Sequence, residues 1–181
     1  MMLKKTRLTK LLLLGISLLS IMIVLGGCGS HGSQINPPGS TSRPMADVVL
    51  YYADSGANYL VPEIRKVDEE KFRTHPARTA IEMLLAGTEN PNLVNVIPPG
   101  TKLNGISIHN RTAYVDFNEN LLTSTGSTTE IFIVGSIANT LTEFSTIDQV
   151  QILVGGKKIT TISGHMDVSS PLGRSERIIK K

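Results

Sequence analysis

Two short hydrophobic stretches separated by turn residues open the folded part of the chain. Residues 47–52 (DVVLYY) are rich in β-branched and aromatic side chains, and residues 59–67 (YLVPEIRKV) repeat that composition. Both stretches favour β-strands. The residues between them, 54–58 (DSGAN), are typical of a turn. We therefore predict a pair of strands, with Pro62 restricting the second strand to an edge position or a short length.

The next segment has the spacing of a helix. Pro76 stands where a first helical turn would begin, and Gly87 follows the last periodic position. Proline is favoured at the start of a helix and glycine just beyond its end. The apolar residues between them recur at helical intervals: Ala80, Ile81, Leu84 and Leu85. These features predict one amphipathic helix.

A second pair of strands follows a loop at residues 88–100. Apolar side chains alternate with other residues in residues 102–108 and again in residues 113–117. Such alternation is typical of half-buried strands. Residues 109–112 between them are short enough for a tight hairpin turn.

The pattern then predicts a second helix. Ser127 and Glu130 have the spacing of a capping box, with Ser127 as the N-cap and Glu130 at the third helical position. The apolar residues that would share one helix face are Val134, Ile137, Ala138, Leu141 and Phe144.

The final elements complete an α+β order. Residues 149–154 form a candidate buried strand, and Gly155-Gly156 turns the chain into a strand at residues 157–162. The order is β-β-α-β-β-α-β-β. We expect residues 46–168 to form one compact domain, with both helices packed on one mostly antiparallel sheet. Residues 169–181 are expected to form a polar, loosely held tail.

The amino terminus has the pattern of an export signal. Residues 1–10 contain four basic residues and no acid, and residues 11–25 are almost entirely apolar. Fifteen helical residues span about 22 Å, less than a hydrocarbon core of about 30 Å. A cleaved signal peptide at residues 1–27 is therefore favoured over a transmembrane helix.

Leu25, Gly26, Gly27 and Cys28 are similar to the bacterial lipobox, in which signal peptidase II cuts before the cysteine. Cys28 is the chain's one cysteine, so it has no partner for an intramolecular disulfide. We expect a diacylglyceryl group on its thiol and an acyl chain such as palmitate on the new amino terminus. Two or more chains anchor a protein stably, whereas one binds marginally. Residues 28–45 would then be a flexible tether with a root-mean-square reach of about 23 Å.

The charge distribution argues against nucleic-acid binding. The chain has 18 basic and 15 acidic residues, and four of the basic ones lie in the first ten positions. Without those four, the chain has almost no net charge. A duplex-binding protein needs a concentrated cationic surface, so we expect no nucleic-acid partner.

Candidate catalytic residues occur together at one place. Ser163, His165 and Asp167 include the three residue types of a nucleophilic triad and would share one face of a strand. Asp116 is a further candidate for acid–base chemistry. Triads are normally assembled from separate segments, so a polar turn in which these side chains bond the backbone is the favoured interpretation, and no catalytic residue is assigned.

Metal and cofactor sites are not predicted either. The four histidines are scattered along the chain. The segment at residues 116–120 (DFNEN) contains two acidic residues but lacks the glycine and the final glutamate of a calcium loop. Gly155-Gly156 before two lysines is a hairpin turn and not a phosphate-binding loop. The mixed charges of residues 63–71 are typical of a solvated edge and could also form a docking strip.

An ordered set of segments resembles the GerMN domain family of sporulation and germination lipoproteins. The matching segments are AIEMLLAG (80–87), IPPGTKLNGISI (97–108), AYVDFNENL (113–121), ANTLTEFSTIDQVQILVGGK (138–157) and SGHMDVSSPLGR (163–174). The founding member carries two tandem copies, whereas this chain has one. The resemblance implies an envelope-associated protein outside the cytoplasm, with a domain that oligomerises or docks partners and is not an enzyme.

The leading hypothesis is therefore a lipid-anchored module on the outer face of the cell membrane. It would bind envelope proteins or peptidoglycan, with possible self-association, in sporulation, germination or envelope assembly. The alternatives are an envelope hydrolase, for which His165, Asp167 and Asp116 are the candidate residues, and a small-ligand-binding lipoprotein.

Overall fold

The computed structural model describes residues 43–181. The predicted signal peptide at residues 1–27, its lipobox Leu25-Gly26-Gly27, the lipidation site Cys28 and most of the tether at residues 28–45 lie outside the described residues. Among the residues that are described, no helix combines the length and the apolar character needed to cross a bilayer.

The described residues form an α+β fold, as the sequence pattern predicted. The elements in chain order are β1 (Met45–Asp54), β2 (Leu60–Asp68), α1 (Glu69–Thr74), α2 (Pro76–Ala86), β3 (Leu93–Val94), β4 (Leu103–His109), β5 (Thr112–Phe117), α3 (Ser127–Leu141), β6 (Gln149–Val154), β7 (Lys157–Lys158) and β8 (Leu172–Gly173), with 3-10 turns at Glu119–Leu121 and Glu176–Ile178. Both predicted helices and five of the predicted strands are present. The strand expected at residues 157–162 is reduced to β7, and α1, β3 and β8 are additions.

The first sheet has the strand order β2-β1-β3. Strands β1 and β2 pair antiparallel, with Ala53 opposite Leu60 at the turn. The carboxylate of Asp54 stabilises this turn by accepting bonds from the backbone N–H groups of Asn58 (2.7 Å) and Tyr59 (2.9 Å). Strand β2 lies at the edge of the sheet, as its proline indicated.

The second sheet has the order β4-β5-β6-β7, and β8 also pairs with β6. Strands β4 and β5 form a hairpin whose two turn residues, Asn110 and Arg111, have φ angles of 48° and 61°. Strands β5 and β6 pair parallel, and α3 makes the crossover between them. The sheet is thus mixed, with all its other pairings antiparallel.

The prediction of one sheet needs correction, because the strands divide between two sheets. Helix α3 contacts strands of both, and its residues from Phe132 to Leu141 are all buried. A helix that is buried on all sides lies inside the domain and not on one outer face. Residue periodicity reports which positions are buried, but it does not report which strands pair.

The start of α3 also differs from the expected capping box. Ser127 is the first helical residue, Gly126 is the N-cap, and no side chain caps the helix there. Glu130 is correspondingly displaced from the capping position, and its carboxylate bonds elsewhere. Gly126 has the extended backbone of an N-cap residue (φ −74°, ψ 163°), and the helix begins with Ser127.

The main core lies where α2, α3 and the two sheets meet. It combines alternate residues of β1 with the inward faces of β5 and β6. Fully buried side chains from each layer include Leu50, Ile81, Phe117, Ile137 and Ile152. A second, smaller cluster around Tyr51, Leu60 and Phe132 lies against the carboxyl-terminal residues.

The expectation of a loosely held tail at residues 169–181 is wrong. Residues 172–181, here called the C-terminal strap, begin with β8 against β6 and end against β2. The side chain of Asn139 accepts a hydrogen bond from the strap backbone (2.8 Å), and the backbone N–H of Lys180 donates to the carbonyl of Leu60 (2.8 Å). The strap therefore links the two sheets. Its attachments are largely hydrogen bonds, which a hydrophobicity pattern does not reveal.

Candidate functional site

A buried carboxylate organises the loop that contains most of the candidate catalytic residues. Glu130 is the one charged residue of α3, and its side chain is 0% exposed. Its Oε1 accepts bonds from the Thr161 hydroxyl (2.6 Å) and from the backbone N–H groups of Ile162 (2.9 Å) and Ser163 (3.0 Å). Its Oε2 accepts bonds from the Ser163 hydroxyl (3.1 Å) and the backbone N–H of His165 (2.8 Å). These bonds hold the loop against the first turns of α3.

The same contacts keep Glu130 ionised. Burial raises the pKa of its carboxyl group, but the hydrogen bonds from Thr161, Ser163, His165 and Ile162 outweigh that effect and lower the pKa to about 2. Hydrogen bonds donated to a carboxylate favour its charged form. Glu130 is therefore poorly suited to donate or accept a proton near neutral pH.

Ser163, His165 and Asp167 lie in one loop, and their side chains have separate partners. The Ser163 hydroxyl bonds Glu130 and the carbonyl of Thr125 (3.1 Å). The side chain of His165 is exposed, and Asp167 accepts a bond from the backbone N–H of Ser169 (2.8 Å). Among the described residues, none of the three side chains bonds another of the set. Ser163 and Asp167 thus bond backbone groups, as the polar-turn interpretation expected. For the His165 side chain, no hydrogen bond is found within residues 43–181.

Asp116 and Asn118 also stabilise turns. Asp116 accepts a bond from the backbone N–H of Gly156 (2.7 Å) in the turn between β6 and β7. Asn118 accepts from the backbone N–H of Lys102 (2.8 Å) and donates to the carbonyl of Gly100 (3.0 Å). Within residues 43–181, no three His, Cys, Asp or Glu side chains lie close enough together to hold a metal ion.

The mixed-charge run at residues 63–71 is only partly solvated. Glu63 and Arg65 are largely buried and lie 3.4 Å apart. Glu63 accepts bonds from the Thr88 hydroxyl and from the backbone N–H of Glu89 (3.1 Å), while Arg65 donates to the carbonyl of Gly87 (3.0 Å). These two residues hold the loop after α2, so the strip as a whole is not a free docking surface.

A polar cluster that the sequence did not reveal centres on Arg174 in the strap. Arg174 donates to the Tyr51 hydroxyl oxygen (2.6 Å), to Glu143 (2.7 Å) and to Glu176 (2.5 Å), and its guanidinium lies 5.1 Å from the centre of the Tyr51 ring. Tyr51 itself donates to Glu143 (2.6 Å). The cluster joins β1, the end of α3 and the strap. Its members are far apart in sequence, and no local pattern could have identified them.

Glu130 did have a sequence signal, which the capping-box interpretation obscured. It is the one charged residue in a fifteen-residue helix whose other positions are apolar or small and polar. An isolated carboxylate in such a helix must find donors elsewhere in the fold, because burying an unpaired charge is costly.

The features left open for binding are grooves and sheet edges. One groove of about 420 Å³ runs along the loop at residues 96–101 and reaches Thr125. Another, of about 410 Å³, lies between β4 and the start of α2. Large apolar side chains that remain exposed are Met45, Tyr59, Ile64, Val94, Ile108, Leu122 and Ile131. Both grooves are open to solvent and are not enclosed cavities.

Comparison with known proteins gives a family match over most of the domain. The family model named Germane, described as sporulation and spore germination, matches residues 49–160. Among curated protein sequences, none matches this chain.

Solved structures with a similar fold include two of one sporulation protein and one of a clostridial protein. The first GerMN domain of the sporulation protein GerM from Bacillus subtilis has a TM-score of 0.60 and 26% identity, covering 71% of this chain and 98% of that one. The tandem GerMN domains of the same protein give 0.62 and 24%, covering 72% of this chain and 46% of the other, so this chain spans about half of that length. A Clostridium perfringens protein, provisionally assigned as a lipoprotein, gives 0.53 and 22%, covering 71% and 87%.

Proposed function

The chain belongs to the Germane family of sporulation and spore germination proteins, and from this premise we propose that it is a lipid-anchored binding module on the outer face of the cell membrane. The observation that carries the proposal is the order of two features along the chain. A sequence similar to a lipobox, ending at Cys28, precedes the region matched by the Germane family model, which begins at residue 49.

The anchor follows from the chemistry of Cys28. A thioether-linked diacylglyceryl group together with an amino-terminal acyl chain gives stable membrane attachment. About eighteen residues of Gly-, Ser- and Pro-rich chain would then separate β1 from the lipid by a root-mean-square distance of about 23 Å. The similarity in fold to a clostridial protein that is provisionally assigned as a lipoprotein supports this arrangement.

The role as a binding module, rather than an enzyme, is supported by how the polar residues are used. Glu130 accepts five hydrogen bonds from its loop, and the Ser163 hydroxyl donates within that network. A serine nucleophile needs a base within hydrogen-bond reach, and the depressed pKa of Glu130 makes it a weak base. The polar residues of this loop serve its structure.

The biological setting that we propose is sporulation, spore germination or assembly of the cell envelope. The family description and the two GerM structures support it. The partners would be envelope proteins or peptidoglycan, which the tethered domain could reach from the membrane.

Purified peptidoglycan tests both halves of this proposal. The full chain should sediment with the polymer and should release no soluble fragments from it. The variant His165→Ala should sediment to the same extent and should likewise release no fragments. His165 is the control because its exposed side chain is the obvious base for a hydrolase.

The hydrolase hypothesis makes the opposite prediction. Fragment release by the wild type that His165→Ala abolishes, at an unchanged melting temperature, would overturn the non-catalytic role. If the chain neither sediments with peptidoglycan nor crosslinks to an envelope protein in native membranes, the binding role is wrong.

A further inference from the structure

Strand β4 has a free outer edge. It is the terminal strand of its sheet, and its inner edge pairs with β5. The carbonyl of Phe117 accepts a bond from Gly155, so at Phe117 the β5 backbone bonds away from β4. Because these directions alternate along a strand, the N–H and C=O groups of Ile106 and Ile108, opposite Val115 and Ala113, point outward from the sheet. Within residues 43–181 they have no hydrogen-bond partner.

The outer edge of β2, the long edge strand of the other sheet, is protected. On β2, Pro62 removes an outward donor, and the strap pairs with Leu60. Natural proteins use prolines, lysines and covering segments in this way to prevent strand-to-strand association. Residues 105–109 of β4 (GISIH) contain neither proline nor lysine.

The side chains beside the free edge are apolar and incompletely covered. Ile106 packs against the core, whereas Ile108 is 42% exposed. Both border the groove of about 410 Å³ whose opposite side is formed by His75, Pro76 and Ala77. A strand added at this edge would cover both isoleucines.

The sequence of β4 is complementary to itself. The pairing with β5 is irregular between Leu103 and Gly105, so the regular stretch runs from Gly105 to His109 and is centred on Ser107. If a two-fold axis passes through Ser107, antiparallel pairing places Ile106 opposite Ile108 of the second copy and Gly105 opposite His109. Apolar residues then face apolar residues, and no Asp, Glu, Lys or Arg is brought opposite a like charge within this stretch.

We propose that two copies of this chain associate through β4, forming one continuous sheet across a two-fold axis at Ser107. The outward N–H and C=O groups of Ile106 and Ile108 in the two copies then exchange hydrogen bonds in pairs, and the same patch serves on both copies. Through this interface the proposed binding module would associate with a second copy of itself. The dimer does not depend on what else the module binds or on the lipid anchor.

A disulfide test distinguishes this register from others. Ser107 bonds toward β5, so Ser107 and Ser107 of the second copy would form a non-hydrogen-bonded pair with Cβ atoms about 4.5–5.5 Å apart. We expect Ser107→Cys, placed in the full chain with Cys28→Ala so that it is the sole thiol, to give mostly disulfide-linked dimer under mild oxidation.

His109→Cys on the same strand is the matched control. In this register two residues 109 lie four positions apart along the strands, about 13 Å, which is too far for a disulfide. We expect at least ten-fold less dimer than for Ser107→Cys. Equal yields from the two variants, or none from Ser107→Cys, would overturn the proposal.

Ile108→Pro tests the hydrogen bonds themselves. It removes an outward N–H and leaves the β4–β5 ladder intact, so it should reduce Ser107→Cys dimer at least ten-fold. Ile108→Lys keeps the N–H group but places a charge at the interface between the two β4 strands, so it should also reduce the yield of Ser107→Cys dimer. This variant replaces Ile108→Pro in the test if the proline variant does not fold. Unchanged crosslinking in a folded variant would exclude this interface. Because Cys28 is replaced in all these variants, none of them can be lipidated, and the outcome is independent of lipidation.

Discussion

Glu130 shows how one residue can have a role quite different from the one its local pattern suggests. Its spacing from Ser127 predicts a helix cap, yet its carboxylate accepts all its bonds from the loop after β7. Likewise, Ser163 and His165 donate hydrogen bonds to Glu130, and Asp167 accepts one from Ser169 in its own turn. Local spacing drew attention to Ser163, His165 and Asp167 in this loop. It did not identify Glu130 as a partner, because Glu130 lies more than thirty positions away in the sequence.

Replacing Glu130 with Gln should lower the free energy of unfolding by about 3 kcal/mol. The amide group would place its own donors against the N–H and O–H groups that the carboxylate now accepts. Urea denaturation measures the change. Glu119→Gln, at an exposed position, is the control and should stay within about 0.5 kcal/mol of the wild type. Equal losses in both variants would contradict the structural role of Glu130.

The stability contributed by Glu130 should also depend on pH. Its pKa is about 2 in the folded protein, against an ordinary value of 4.5. A carboxyl whose folded pKa is depressed stabilises the fold fully above its unfolded pKa, and that contribution is lost as the pH falls through 4.5 toward 2. The advantage of the wild type over Glu130→Gln in urea midpoint should therefore be similar at about pH 7 and pH 5.5 and smaller at about pH 3. A difference that is constant with pH would contradict the assignment.

The longer elements were predictable, and the short ones were not. Helix α2 lies between Pro76 and Gly87 as expected, and the hairpin of β4 and β5 turns where the alternation breaks. Strands β3 and β8 have two residues each, too few to show any periodicity. They exist because neighbouring strands offer free backbone groups, which is a property of the assembled sheet.

The contact between α3 and the strap depends on a glycine inside the helix. A Cβ at Gly135 would overlap Ile178 Cδ1 and lie 3.0 Å from Leu60 Cδ1. Gly135→Leu should therefore displace the strap and lower the free energy of unfolding by about 2–3 kcal/mol. Hydrogen exchange at the backbone N–H of Lys180, which bonds Leu60, should become faster.

Gly126→Leu is the control for that substitution. Gly126 has a φ of −74°, and a Cβ there would meet nothing within 4 Å. Exchange at Lys180 should be unaffected in this variant. If Gly135→Leu left the protection of Lys180 intact, the strap would not depend on the close approach to α3.

At the scale of the whole molecule, the domain consists of two sheets joined by a central helix and a strap. The sequence predicted the α+β class correctly and placed all strands in a single sheet, because nothing in the alternation of β1 and β2 distinguishes them from β4 and β5. The strap closes the arrangement by pairing with β6 at one end and β2 at the other. The matched family region ends at residue 160, so the strap lies beyond it.

The most direct test of the central claim is mass spectrometry of the chain isolated from its native membranes. The account predicts an amino-terminal peptide that begins at Cys28 and carries a diacylglyceryl group. This peptide should be absent when signal peptidase II is inhibited, and Cys28→Ala should leave the precursor uncleaved. A native chain that keeps Leu25-Gly26-Gly27 attached to Cys28, or that has a free thiol at Cys28, would contradict the membrane-anchored module proposed for this protein.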